Sequence, residues 1–354
     1  GFAAQSLFRD TTRVSMAVDA ANLDKVRTEC SHLAFVTATT LHPVKPPPYV
    51  ASYQLVADFI EKAGLPVCTF GLGCHASLTQ TIDEAQLDPI TLRLLQVLSA
   101  HAPSIAVRGH FTADLCAKFG VKNVEVVGCQ SAYVSGMANW STRTNLSLPV
   151  QRPVANLTFS VDEAEALRLA MDSGADLIGQ NDQLSEEIQL GEFSRERYLS
   201  EKVAPGEYPF ITQLFRQGKL SREHYFDYVQ AHFHKFYTVP TWLAHMKGRY
   251  DFCFGTRFHG NMAAFMAGVP ALWLSHDMRT QELCEHLNLP FVAHSRLAEF
   301  ATVSDLASEC TFDAFWAAFP QRMREFRSYL DRNGVTPLLK SEFVSTSDTI
   351  TATA

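Results

Sequence analysis

Residues 250–283 read YDFCFGTRFHGNMAAFMAGVPALWLSHDMRTQEL. An apolar run, YDFCF, ends at Gly255, and an Ala-rich stretch with helical character then runs to AGVP. A second apolar run, ALWLS, follows, and MRTQEL resumes the helical spacing. Strand, helix, strand, helix is the signature of βαβ units and a parallel sheet. Arg257 and His259 fall between a buried strand and a helix. Burying either without a partner is costly, so this turn is expected to hold something that receives them.

The same alternation extends outward in both directions. HLAFVTA (32–38), LPVCTFGLG (65–73), SIAVRG (104–109) and NVEVVGC (123–129) read as buried strands ended by glycine or a polar turn. Between them, residues 49–64, 88–102 and 111–120 carry apolar side chains at helical spacing, with Asp or Thr-type caps before the last two and Gly120 ending the third. Periodicity lapses over 140–155 and then restarts. VANLTFS and ADLIGQ read as strands, 161–174 as a helix, 181–236 as surface helices, 269–276 and 290–292 as strands, and 313–334 as a terminal helix in which Pro320 is a candidate kink. The fold class expected is α/β, with two Rossmann-like domains of mainly parallel sheet facing a cleft and a C-terminal helix closing the structure. The boundaries are 1–150 for the first domain, 151–340 for the second and 341–354 for a flexible Ser/Thr tail.

Composition narrows the function classes. The 354 residues include 47% apolar and 19% charged side chains, ample for packed cores. The net charge of −7 leaves no basic footprint for nucleic acid. No apolar stretch approaches the ~20 residues that span a bilayer. The eight cysteines show neither CxxC nor zinc-ligand spacing and read as reduced, structural core residues. HFHKF (232–236) places two histidines at i, i+2, on different sides of a helix, so no metal site is expected there. Sequons at Asn139, Asn145 and Asn156 keep a secretory-pathway lumen open as a location.

In open parallel sheets, ligands bind outside the carboxyl ends of strands. Arg108 ends SIAV, Arg257 follows Gly255, and Arg279 follows ALWLSHD, all in strand-to-helix turns. Any one such arginine is more often a surface ion pair. Three in an acidic chain point to an anion, because guanidinium forks pair bidentately with carboxylate and phosphate. His259 alone reads as readily as a structural cap or core residue as a functional one. Beside Gly260, which permits close approach at a helix N-terminus, it becomes a candidate for chemistry. Asp277 is a candidate either to orient the neighbouring cations or simply to cap a helix and pair on the surface, Glu282 reads as a surface residue, and His75 at the end of GLGCHA is a candidate for facing the ligand.

With these residues in view, the chain resembles the polysaccharide pyruvyl transferase family. The resemblance rests on AVRGHFTADLCAKFGVKNVEVVGCQS (106–131) and DFCFGTRFHGNMAAFMAGVPALWLSHDMRTQEL (251–283), with PVCTFGLGCHA (66–76) as a weaker match. It departs from the family at Gln130, where proline is usual, and in its opening GFAAQSLF, as though a first Gly/Asn-rich strand were missing or trimmed. The resemblance implies a GT-B-like arrangement, with the first domain on the acceptor side contributing Arg108 and the second binding the donor. It implies transfer of the pyruvyl group of phosphoenolpyruvate to two hydroxyls of a sugar, forming a ketal and releasing phosphate. Arg108 and Arg257 would grip phosphoenolpyruvate, with Arg279 as the further basic residue and His259 as the acid/base. No cofactor or metal is implied, and the partners are the donor and a glycan acceptor. Work on such an acceptor implies a cytoplasmic location, at the membrane surface where the acceptor is lipid-linked.

Two other readings compete. A GT-B glycosyltransferase using a nucleotide sugar also holds a diphosphate at a His-Gly helix start, although the arginines suit a small dianion better. A non-catalytic relative that only binds glycans or anions would not need Arg108, Arg257, His259 and Arg279 together.

Overall fold

Apolar runs bounded by glycine and polar turns become strands, and the helical stretches between them become crossovers. The computed structural model describes residues 2–8, 10–37, 39–136, 146–158 and 162–338. Strands β1 (Leu33–Val36), β2 (Val67–Phe70), β3 (Ile105–Val107) and β4 (Val124–Val126) are parallel. β1 pairs with β2 from Leu33 opposite Val67, and β3 with β4 from Ile105 opposite Val124. Single parallel bridges, Leu41 to Cys74 and Leu72 to Val107, carry the pairing further toward the carboxyl ends. The helices Ala51–Ala63, Pro89–His101 and His110–Lys118 connect them. Asp88 accepts the Ile90 N–H and Pro89 opens the second helix, while Gly64 closes the first in the left-handed conformation.

The later strands form one sheet. β5 (Pro153–Asn156), β6 (Asp176–Gly179), β7 (Phe233–Lys235), β8 (Phe252–Gly255), β9 (Ala271–Ser275) and β10 (Phe291–Ala293) lie in the order β10-β9-β8-β5-β6-β7. Every pairing is parallel. β8 and β9 are wholly buried, which is why their sequences are continuous apolar runs rather than alternating ones. Residues 181–236 hold four helices, Gln183–Gln189, Arg195–Ser200, Pro209–Arg216 and Arg222–His232, but end in β7, a strand where only helix was expected.

The chain divides into two compact units, and their composition corrects the expected boundaries. One comprises Gly1–Ser141, Asp277–Leu289 and Asp313–Ala354; the other comprises Thr142–His276 and Pro290–Phe312. The helices Met278–Leu287 and Asp313–Arg332, expected in the second domain, therefore belong to the first unit. Their buried faces decide this. Met278 packs on the first unit's apolar core and its N–H reaches the Ala76 carbonyl at 3.0 Å. Tyr329, on the long helix, donates to the Thr69 carbonyl at 2.6 Å and accepts the Thr69 N–H at 3.1 Å. Phe326 stacks on Tyr133 with ring centres 4.4 Å apart. The long helix continues through Pro320.

The tail at 341–354 and the sequons at Asn139 and Asn145 lie outside the described residues. Asn156 is fully buried in β5, so its sequon is a core position and not an acceptor for a glycan. All eight cysteines are free, seven of them buried, and burial pushes thiols such as Cys68 and Cys116 up to about 12. Among the described residues, no helix is long and apolar enough to cross a membrane.

Candidate functional site

In the second unit, β5 leads toward β6 and β7 on one side, and β8 leads toward β9 and β10 on the other. The carboxyl ends of this adjacent pair are therefore the switch point where such sheets hold ligands. Arg257 leaves β8 there. Its Nε donates to the Leu157 carbonyl at 2.8 Å and its Nη2 to the Thr158 carbonyl at 3.2 Å, both at the exit of β5. Asp182 lies 3.9 Å from the same Nη2. That carboxylate also accepts the Gln180 N–H at 3.0 Å and the Tyr208 hydroxyl at 2.7 Å, so it is itself held in place. Arg257 Nη1 has no acceptor among the described residues. Beneath it, the Thr256 hydroxyl donates to the fully buried Glu163 and lies 2.9 Å from Thr158 Oγ1.

Arg257 also precedes the helix Phe258–Met266, whose N-terminus offers the partial positive charge that favours anions. His259 is exposed on the first turn of that helix, its ring 5.4 Å from that of Phe258. The close approach that Gly260 permits is to protein: a Cβ there would meet the Asn156 side chain at 2.7 Å. Gly255, at φ 153°, is equally committed, since a Cβ would meet the Asn156 carbonyl oxygen at 2.0 Å. Asn261 fastens the helix by donating to the carbonyls of Gly255 at 2.8 Å and Leu272 at 3.2 Å. Gly260 and Asn261 thus hold the turn that presents Arg257 and His259.

The first unit carries the other predicted residues, Arg108 and His75 beyond its own strands and Asp277 and Arg279 at the start of the helix Met278–Leu287. Arg108 follows β3 and is only 2% exposed. Its Nε donates to the Gly71 carbonyl at 2.8 Å, and that is its only hydrogen bond among the described residues. Burial pushes this guanidinium down to about 10; the nearby Arg279 cation acts in the same direction, against Cys129, Glu282 and Asp277. Its terminal nitrogens have no acceptor among the described residues and are not fully buried, so they keep contact with solvent where an anion could meet them. Gly71, at φ 71°, allows the approach: a Cβ would crowd the Thr37 carbonyl at 3.2 Å.

Asp277 and Arg279, expected in the second domain, lie in the first unit with Arg108. Asp277 caps the helix Met278–Leu287 by accepting the Thr280 N–H at 2.8 Å, and it pairs with Arg279 Nη2 at 2.9 Å. Arg279 Nη1 donates to Thr39 Oγ1 at 2.9 Å. His75 Nδ1 lies 4.0 Å from Asp277. Burial and the Arg279 cation push His75 down, against the pull of Asp277.

Several neighbours of these residues were not legible. The ring of His42 lies 5.3 Å from that of His75, and burial, then His75, pushes His42 down. The expected surface residue Glu282 is buried: Oε2 accepts the Thr112 N–H at 3.0 Å and Oε1 the Thr112 hydroxyl at 2.5 Å. Burial raises its carboxyl to about 7, against the Thr112 hydrogen bonds and Arg108. Asp182, Glu163 and Tyr208 gave no signal because each acts across a loop on a partner far away in sequence. The sequence reading of HFHKF also needs correction. The helix ends at His232 and His234 lies in β7, so both imidazoles reach one carboxylate, Asp176, at 3.0 and 3.2 Å.

A family model described as polysaccharide pyruvyl transferase matches residues 45–278, more than half of the chain. No curated protein matches it. Similar solved structures include a complex of MnaA with UDP from S. aureus, at 10% identity and a TM-score of 0.37, covering 91% of this chain and 82% of that one. Another is a UDP-forming α,α-trehalose-phosphate synthase from Burkholderia xenovorans, at 8% identity and a TM-score of 0.39, covering 89% and 79%.

Proposed function

This chain belongs to the polysaccharide pyruvyl transferase family, and from that premise we propose that it moves the pyruvyl group of phosphoenolpyruvate onto two hydroxyls of a sugar in a glycan. The observation that carries the reading is Arg108, a guanidinium 2% exposed whose terminal nitrogens have no acceptor among the described residues. Phosphoenolpyruvate places a carboxylate and a phosphate on one small carbon frame. Within the first unit, the cations assigned to those charges are Arg108 and Arg279. Asp277 fixes Arg279 from the cap of its helix, and His75 flanks that pair on the acceptor side.

The chemistry assigned to His259 is proton transfer. Protonation of the methylene carbon turns the enol phosphate into an oxocarbenium-like centre, which a sugar hydroxyl attacks, losing its proton. The C–O bond to phosphate then breaks, and the second hydroxyl closes the ketal ring as its proton leaves. One hydroxyl proton thereby balances the new methyl group and the other leaves with phosphate. An imidazole suits both delivery and acceptance of protons near neutrality. The helix N-terminus and the arginines stabilise the departing phosphate.

The test is mass spectrometry of candidate glycans incubated with the protein and phosphoenolpyruvate, with His259→Ala as control. A ketal adduct is expected from the wild type, with turnover reduced about 10²- to 10⁴-fold in the variant. Full turnover in His259→Ala would remove the assigned role. Thermal stabilisation by uridine or guanosine nucleotides, with none by phosphoenolpyruvate, would favour a nucleotide-sugar transferase instead.

A further inference from the structure

At the amino ends of β6 and β7, opposite the strand ends that carry Arg257, a group of side chains converges that the proposed transfer does not use. Asp176 opens β6, His234 lies in β7, His245 is in the helix Val239–Met246, and Tyr250 precedes β8. The potential ligand atoms of Asp176, His234 and His245 all lie within 4.8 Å of one another. His234 Nε2 is 3.2 Å from Asp176 Oδ2, and the Tyr250 hydroxyl donates to that same oxygen at 2.6 Å. His245 Nε2 is 2.9 Å from the Tyr250 oxygen. His232 Nδ1 approaches the other carboxylate oxygen at 3.0 Å.

We propose that Asp176, His234 and His245 form a site for one divalent metal ion of the zinc class. Two imidazole nitrogens and one carboxylate oxygen are a borderline donor set, matched to zinc and not to magnesium or calcium, which take oxygen ligands. Ligand atoms ~2.0–2.2 Å from a tetrahedral ion sit about 3.3–3.6 Å from each other. The 3.2 Å between His234 and Asp176 lies just below that spacing. The His245 ring, resting against Phe236 at 4.8 Å, closes the remainder by turning about its side-chain bonds.

The site is open to entry, since the side chains of Asp176 and His234 remain 22% and 29% exposed. Water completes the coordination, while His232 and Tyr250 orient the Asp176 carboxylate from outside it.

The position explains what the ion does. β7 has three residues and, among the described residues, stands at the edge of the sheet, paired only with β6. An ion shared by β6, β7 and the helix Val239–Met246 clamps that edge, so its role is structural.

The experiment titrates ZnCl₂ into the untagged, chelator-stripped full chain by calorimetry, with hydrogen exchange of residues 233–235 followed alongside. One equivalent is expected to bind and to slow exchange in β7. His234→Ala and His245→Ala are each expected to bind at least tenfold more weakly, whereas His224→Ala, at an exposed position, binds as the wild type does. Should an alanine variant fail to fold, the near-isosteric Asp176→Asn, checked by circular dichroism, carries the same expectation. Absence of saturable binding by the wild type, or unchanged affinity in the folded ligand variants, would overturn the proposal and leave a hydrogen-bond network alone.

Discussion

The most consequential single residue is Arg108, because burial disfavours its charge and a bound anion would offset that. Methionine keeps most of its length and apolar contact while removing the buried charge. Arg108→Met is therefore expected to leave the thermal midpoint of the ligand-free chain unchanged or higher, and to weaken phosphoenolpyruvate binding by about 2–4 kcal/mol. Calorimetry and thermal melting separate the two effects; a variant that melts lower yet binds normally would make Arg108 a structural residue. Glu282 gives a second prediction, in pH. Its carboxyl titrates near 7 in the folded chain against an ordinary value of 4.5. Between those values the folded state keeps a proton that the unfolded state releases, so stability falls as pH rises through this window. The loss is complete above about 7 and amounts to about 3 kcal/mol. Urea unfolding at several pH values should show this decline in the wild type and not in Glu282→Gln, and parallel profiles would mean that Glu282 ionises alike in both states. Strand-end position was enough to single out Arg108 and Arg257 in the sequence. It could not distinguish buried Glu282 from a surface acid, because Thr112, its partner, lies 170 positions away.

At the scale of elements, Phe258–Met266 is the helix on which the candidate chemistry stands, and its seating is set by glycine. Alanine at 260 would drive a methyl group into the Asn156 side chain at 2.7 Å, and Asn156 is itself fully buried against Cys253 and Asn261. Overpacking of this kind costs about 1–3 kcal/mol. Gly260→Ala is expected to lower the thermal midpoint and to reduce turnover, since the helix must shift with Arg257 and His259 at its start. A variant that melts and turns over as the wild type does would show that Asn156 yields freely. The strand-helix-strand pattern of this segment was legible because its apolar runs are long and glycine marks both turns. β7 was not. Three residues give no period to read, and FHK presents one apolar side chain among polar ones. Pairing with β6, a tertiary event, makes it a strand.

At the scale of the molecule, sequence order and spatial order part company. Alternating strands and helices announced two α/β units, and the loss of periodicity near 140–155 marked the first passage from one to the other. The return of Asp277–Leu289 and Asp313–Ala354 to the first unit left no such mark, because a helix reads the same whichever sheet receives its apolar face. What commits the long helix is Tyr329, buried with its hydroxyl on both the N–H and the carbonyl of Thr69, and bonded through that residue to the middle of β2. Thr69 Oγ1 in turn accepts the Ala106 N–H of β3 at 2.8 Å, so one phenol organises two strands. Tyr329→Ala removes a packed ring and leaves two backbone groups without partners, a combined cost of about 3–5 kcal/mol. Tyr329→Phe keeps the ring and loses only the hydrogen bonds, at about 1–3 kcal/mol. Native-state hydrogen exchange should therefore show protection at residues 67–70 and 105–107 falling in the order wild type, Tyr329→Phe, Tyr329→Ala. Equal protection in all three would mean that the terminal helix rests on the first unit without holding it together, and that its membership of that unit is geometric only.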